Sequence, residues 1–116
     1  MRNKKIPMYL DGFIKVYRPN ESKSNFGAKK NIKSVEEMTH IIDLAYSQSY
    51  KRVQDIDFAE TVGRDLSLKI KTRLVHSIKL TDKIVIDGIL YDIINLDEDR
   101  VNHELYLYLE EMYPIE

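Results

Sequence analysis

The sequence predicts a small, mainly β domain whose C-terminal third is a three-stranded antiparallel meander. Three observations carry this. First, Asp87-Gly88 lies between two apolar runs. A two-residue type I′ turn needs positive φ at both central positions, and Asp-Gly between such runs is a strong short-range hairpin signal. With that turn fixed, Ile86 faces Ile89, Val85 faces Leu90, Ile84 faces Tyr91 and Lys83 faces Asp92. The last two are favoured cross-strand partners, each contributing roughly 0.2–1 kcal/mol. Second, residues 103–110 alternate strictly, with Leu105, Leu107 and Leu109 on one face and Glu104, Tyr106, Tyr108 and Glu110 on the other, the mark of a half-buried strand. Third, residues 65–74 alternate in the same way. Leu66, Leu68, Ile70, Thr72 and Leu74 point one way, and Ser67, Lys69, Lys71 and Arg73 the other.

The chain of 116 residues is read as one domain, 1–116, long enough for a real core. It has no cysteine, which excludes disulfides, zinc-thiolate sites and thiol nucleophiles. Its 18 Lys and Arg against 19 Asp and Glu argue against a dedicated nucleic-acid binder, whose domain is usually strongly basic. No apolar run is long enough to span a bilayer, so no membrane partner is expected.

In chain order, residues 1–7 read as a basic, flexible arm ending at Pro7. Residues 13–18 alternate and form a strand with apolar side chains on both faces, stopped by Pro19. Residues 20–33 are polar and read as a long exposed loop. Residues 35–46 carry two signals. Val35, Met38, Ile42 and Ala45 fall at helical spacing, and Ser34 with Glu37 makes a capping box, so the local pattern favours a helix. Residues 47–63 are uncertain: Tyr50, Val53 and Ile56 share one face of a short helix, which Asp55, Asp57 and Thr61 weaken. The strand over 65–74 turns three cations, Lys69, Lys71 and Arg73, to one side. They form either a solvated edge that discourages strand aggregation or a face toward an acidic partner or DNA phosphates.

The hairpin has two different faces. Ile84, Ile86, Ile89, Tyr91 and Ile93 are the core face. Val85, Leu90 and Ile94 make the opposite face too apolar for free solvation. Either a second element packs there, or it is a subunit interface. Residues 97–102 read as a polar connection before the last strand.

No catalytic constellation emerges. His40, His76 and His103 are scattered without metal-ligand spacing, and Asp97-Glu98-Asp99 does not follow a calcium-loop rhythm. There is no phosphate-cradling glycine loop and no nucleophile elbow. The expectation is a non-enzyme without catalytic residues, metal or cofactor.

The order of the pieces resembles the head–tail joining proteins of tailed phages, also called head-closure or stopper proteins. A first strand ends in Tyr17-Arg18-Pro19, a polar loop carries Asn25-Phe26-Gly27, and the C-terminal hairpin signature is matched by Asp82, Ile84, Asp87, Gly88, Tyr91 and Ile93. Glu104, Leu105 and Leu107 then match a terminal strand. The resemblance runs from about 13 to 111. The chain departs from the pattern in lacking a tryptophan. The family would make residues 35–46 a strand, and that reading is preferred over the local helix.

The resemblance implies a small antiparallel β-barrel or sandwich-like domain with one short helix. Copies would form a ring, twelvefold in the virion, below the portal and adaptor and above the tail-terminator protein. That ring would join the head to the tail and retain packaged double-stranded DNA, after assembly in the host cytoplasm. A gate needs a segment that takes two arrangements, drawn from the low-stability part of a structure. Residues 47–63 are the candidate, with Tyr50, Arg52, Asp55, Asp57 and Glu60. Val85, Leu90 and Ile94 are the candidates for intersubunit packing.

Two other readings stand beside this one. A head–tail adaptor or tail-completion protein of the same connector would contact the portal through a C-terminal helix or tail, and little chain remains after the last expected strand. An OB-like single-strand binder would set Lys69, Lys71 and Arg73 beside Tyr106 and Tyr108 for phosphate contact and base stacking.

Overall fold

The computed structural model describes residues 8–20 and 32–115. The expected arm, 1–7, and most of the expected loop, 21–31, lie outside the described residues. The elements are β1 (Gly12–Pro19), a single 3-10 turn (Val35–Glu37), β2 (Met38–Ser49), α1 (Val53–Thr61), β3 (Leu68–Arg73), β4 (Lys83–Ile86), β5 (Ile89–Asp99) and β6 (Glu104–Pro114). The strands close into an antiparallel barrel in the order β1-β2-β3-β6-β5-β4, with β4 pairing back onto β1.

The hairpin that anchors the sequence reading forms in the expected register. Asp87 and Gly88 have φ of 49° and 76°, and Ile86↔Ile89, Val85↔Leu90, Ile84↔Tyr91 and Lys83↔Asp92 pair as read. Lys83 donates from Nζ to the Asp92 carboxylate. Ile84, Ile86, Tyr91 and Ile93 enter the barrel core with Ile14, Val16, Leu44, Ile70, Leu105, Leu107 and Leu109, and Ile89 packs against it. Leu107, Leu109, Ile14 and Ile84 are fully buried. Alternation that a single sequence reveals as a face thus becomes the inner wall.

Residues 35–46 resolve the conflict between their two signals. The capping box exists: Ser34 Oγ accepts the Glu36 N–H, and the Glu37 carboxylate accepts the Ser34 N–H. It organises only the 3-10 turn. From Met38 onward the chain is a strand, paired with β1 from Pro19↔Met38 to Gly12↔Tyr46. The register shifts between Val16↔Ile42 and Tyr17↔His40, leaving Ile41 as an extra residue. Such a bulge reverses the inside-outside phase. Met38 therefore faces an outer cluster, whereas Leu44 and Tyr46 face the core.

Three boundaries move from their sequence positions. The strand expected from 65 starts at Leu68, and Leu66 packs outside the barrel against Ala59 and Tyr108. The connection expected over 97–102 is shorter, because β5 continues to Asp99. The Asp99 carboxylate accepts the Asn102 backbone and side-chain N–H groups, and His103 takes a φ of 54°. These features turn the chain at 100–103. The last strand extends to Pro114, opposite Ile89. The one α-helix among the described residues is α1, inside the stretch the sequence leaves uncertain.

Candidate interaction site on the barrel exterior

The outward face of β3 lies beside that of β6, with Lys69↔Tyr108, Lys71↔Tyr106 and Arg73↔Glu104 as pairs. The cations and tyrosines singled out from the sequence therefore do come together. They are not equivalent. Lys69 is 5 % exposed. Its Nζ lies 5.1 Å from the ring centres of both Tyr106 and Tyr108, within cation–π range, and donates to Asp55 Oδ2 at 2.9 Å. Lys71 stands 3.8 Å from Glu104, and Arg73 is exposed. Neither a solvated edge nor a free basic face describes Lys69, because β3 is interior to a closed sheet and α1 lies over it.

Asp55 is the centre of this arrangement. The Arg52 backbone N–H donates to it at 2.9 Å, and the Arg52 guanidinium donates through Nε at 3.2 Å and Nη2 at 2.9 Å. With Lys69 these contacts satisfy a carboxylate that is 5 % exposed. Burial raises its pKa, but the hydrogen bonds from Arg52 and Lys69 outweigh burial and hold it well below the usual carboxylate range. Donating to the charged Asp55 carboxylate in turn raises the already high pKa of Arg52. Asp55 sits in the first turn of α1, where a carboxylate suits the free N–H groups and the helix dipole.

Between the start of α1 and this face is an open recess of about 410 Å³, lined by Ser49, Tyr50, Arg52, Lys69, Asp97, Tyr106 and Tyr108. Of the charged groups in its lining, Arg52 and Lys69 face Asp97, and both cations already donate to the buried Asp55 behind them. A polyphosphate strand gains little from such a surface, since its affinity comes from uncompensated cations. On the same strand as Tyr106 and Tyr108, Glu104 accepts a hydrogen bond from the Tyr9 hydroxyl at 2.9 Å. Burial, followed by the bond to Glu104 and its charge, pushes the Tyr9 pKa up to about 12.

Of the proposed gate residues, Tyr50, Arg52, Asp57 and Glu60 are exposed and Asp55 is buried. Of the proposed packing residues, Val85 and Leu90 are buried by the chain itself, in a cluster with Met38 and Ile115 and beside Val35 and Tyr113. Ile94 packs with Ala59, Leu66 and Tyr108 beneath α1. This is the arrangement in which second elements pack on the apolar outer face of the hairpin.

A second polar centre was not anticipated. Asp82 is fully buried and accepts Arg18 Nε at 2.8 Å, Arg18 Nη2 at 3.0 Å and the Lys79 N–H at 2.8 Å. Arg18 Nη2 also reaches the Ser77 carbonyl at 3.1 Å. No local pattern announces a pair so distant in sequence. Among the described residues no group of three metal-ligating side chains is gathered, and no helix is long and apolar enough to cross a membrane. His40 contacts Asp43 at 2.7 Å and His76 lies 3.6 Å from Glu98, both on the surface. The sequence matches no family model and no curated protein.

Proposed function

We propose that this chain is a structural head–tail joining protein of a tailed phage, a head-closure subunit that works as a ring and retains packaged DNA. One observation carries the reading. The resemblance rests on separate pieces of sequence, the Tyr17-Arg18-Pro19 end of β1 and the hairpin that opens at Asp82. In the fold these pieces are one unit, because the Arg18 fork clamps the buried Asp82 carboxylate while β1 pairs with β4. Two of these residues, Arg18 and Asp82, thus bridge the seam at which the barrel closes. Ile84, Tyr91, Ile93, Leu105 and Leu107 line its core, and Asp87-Gly88 forms its turn.

In such a ring, packing between copies falls to apolar side chains the chain leaves exposed, such as Leu10 and Phe13 near β1 and Val53, Phe58 and Val62 around α1. Val85 and Leu90 have little surface left to offer. The gate falls to α1 and its flanks, where the exposed Tyr50, Arg52, Asp57 and Glu60 can meet DNA. An adaptor role at the same connector differs in which neighbour the ring contacts.

Electron microscopy of particles assembled without this gene tests the proposal. Emptied, tailless heads beside complete free tails are the expected result. Intact virions, or heads that never package DNA, overturn it. Strong, salt-sensitive binding of the purified protein to single-stranded oligonucleotides would instead favour the nucleic-acid module that the Lys69, Tyr106 and Tyr108 cluster resembles.

A further inference from the structure

Helix α1 is attached to the barrel in an unusual way. Its buried residues are Asp55 and Ala59. Val53, Phe58 and Val62 are about half or more exposed, so the usual apolar stripe of a surface helix is not what holds it. Among the described residues its contacts with the barrel are the Asp55 to Lys69 hydrogen bond, a hydrogen bond from the N-cap Arg52 to Tyr108, and one small outer cluster, Ala59 with Leu66 and Tyr108 beside Ile94 and Tyr106.

The chain on either side is held far more firmly. Before α1, Ser47, Gln48 and Ser49 pair with β3. After it, Arg64 binds Glu110 and Asp92. The Asp65 N–H donates to Glu110, the Ser67 N–H to the Leu109 carbonyl, and the Glu111 N–H to Ser67 Oγ. The helix also has its own stop at Gly63. That residue has a φ of 72°, and a Cβ placed on it would meet nothing within 4 Å. The Arg64 N–H closes onto the Ala59 carbonyl at 2.8 Å. Two fixed anchors therefore bracket a self-capped helix held mainly by one buried ion pair.

We propose that α1 is a lid that opens as a unit between Ser49 and Arg64, with Asp55 and Lys69 as its latch, and that it covers an aromatic strip on the barrel exterior. Opening uncovers Lys69, Tyr106, Tyr108 and Ile94 together while the barrel ladder stays intact. The closed contact defines what the strip accepts: a helical segment presenting a carboxylate and, four residues on, a small side chain, as Asp55 and Ala59 do. The lid follows from these contacts alone and does not depend on the head–tail reading.

Native-state hydrogen exchange over a series of sub-denaturing urea concentrations tests it. In the wild-type protein, amides of residues 56–62 should exchange at least about a hundredfold faster than the core amides of β6, with a small urea dependence. Two variants separate local from global opening. Asp55→Asn removes the latch and should speed α1 exchange about tenfold. Gly88→Ala weakens the distant β4–β5 turn in the closed and lid-open states alike, so it should speed the barrel amides and leave α1 unchanged. Equal protection and equal urea slopes for α1 and β6, or α1 exchange that responds to Gly88→Ala and not to Asp55→Asn, overturn the proposal.

Discussion

Removing Asp55 should cost far more than removing both Asp55 and Lys69. Asp55→Ala leaves the Lys69 ammonium between two tyrosine rings with its side chain 6 % exposed. Stranding one member of a buried pair costs about 3–5 kcal/mol, which is a large share of the roughly 5–15 kcal/mol that holds a domain folded. Lys69→Met keeps Asp55 on the Arg52 N–H and guanidinium, so it loses one charge-assisted hydrogen bond, about 1.5–3 kcal/mol, partly offset by a flexible apolar side chain against the rings. The double variant strands nothing. Its main loss is the Asp55 acceptor for the Arg52 N–H at the helix start, about 1 kcal/mol.

Adding Lys69→Met to Asp55→Ala should therefore restore stability, with a coupling of at least about 3 kcal/mol. Urea unfolding followed by circular dichroism and tyrosine fluorescence measures all four corners of the cycle; the chain has eight tyrosines and no tryptophan. If the two losses simply add, Lys69 is not stranded and the account of the site fails. The sign of the pH dependence follows from the depressed Asp55 carboxyl. Its contribution is fully present above the ordinary value of 3.8 and is lost as pH falls through that value toward the lower folded one. Asp55→Asn should flatten this acid limb of the stability curve.

Arg18→Met should destabilise the protein more than Asp82→Asn. The carboxylate is fully buried and keeps one donor of its three, whereas the Arg18 side chain is 36 % exposed and can turn to water. Equal midpoints in urea would refute this. Gly88→Ala should cost about 1–2 kcal/mol, from its φ of 76° and not from a clash, since the nearest atom to the added carbon is 4.0 Å away; an unchanged midpoint would show the turn relaxing. Spectroscopic titration should find a tyrosine ionising near pH 12, matching Tyr9, and Glu104→Gln should bring it part-way back toward 10. The stability Tyr9 gives is present below pH 10 and lost as pH rises toward 12.

Legibility in the sequence followed period. The β4–β5 register, the inner face of β6 and the alternation of β3 could be read because turn chemistry and side-chain alternation agree there. Strand β2 resisted because the Ile41 bulge puts Met38 and Leu44 on opposite faces, so strict alternation fails, and because the capping box at Ser34 and Glu37 governs only one turn. Helix α1 was obscured for a different reason. The positions it buries are an acid and an alanine, so its apolar residues mark the outside. In the candidate site, Lys69, Tyr106 and Tyr108 were visible as neighbours on two strands. The acid that neutralises Lys69 was not, because in the sequence Asp55 looks like one more surface charge. Val85 and Leu90 were legible as too apolar for free solvation and were read as candidates for intersubunit packing, and sequence could not say that Met38 and Ile115 cover them within the chain.

The narrow seam of the barrel has a consequence for how the molecule assembles. Strands β1 and β4 pair over only three residues, Lys15 to Tyr17 against Val85 to Lys83, and closing that seam joins segments more than half of the chain apart. The β5–β6 hairpin is long and its ends are joined by a four-residue turn. Loop-closure entropy favours the near contact before the far one. Folding should thus begin at β5–β6, gather β4 and β3, and zip the seam last, with the Arg18–Asp82 fork clasping it. Substitutions at Leu107 should slow folding, whereas substitutions at Val16 should mainly speed unfolding.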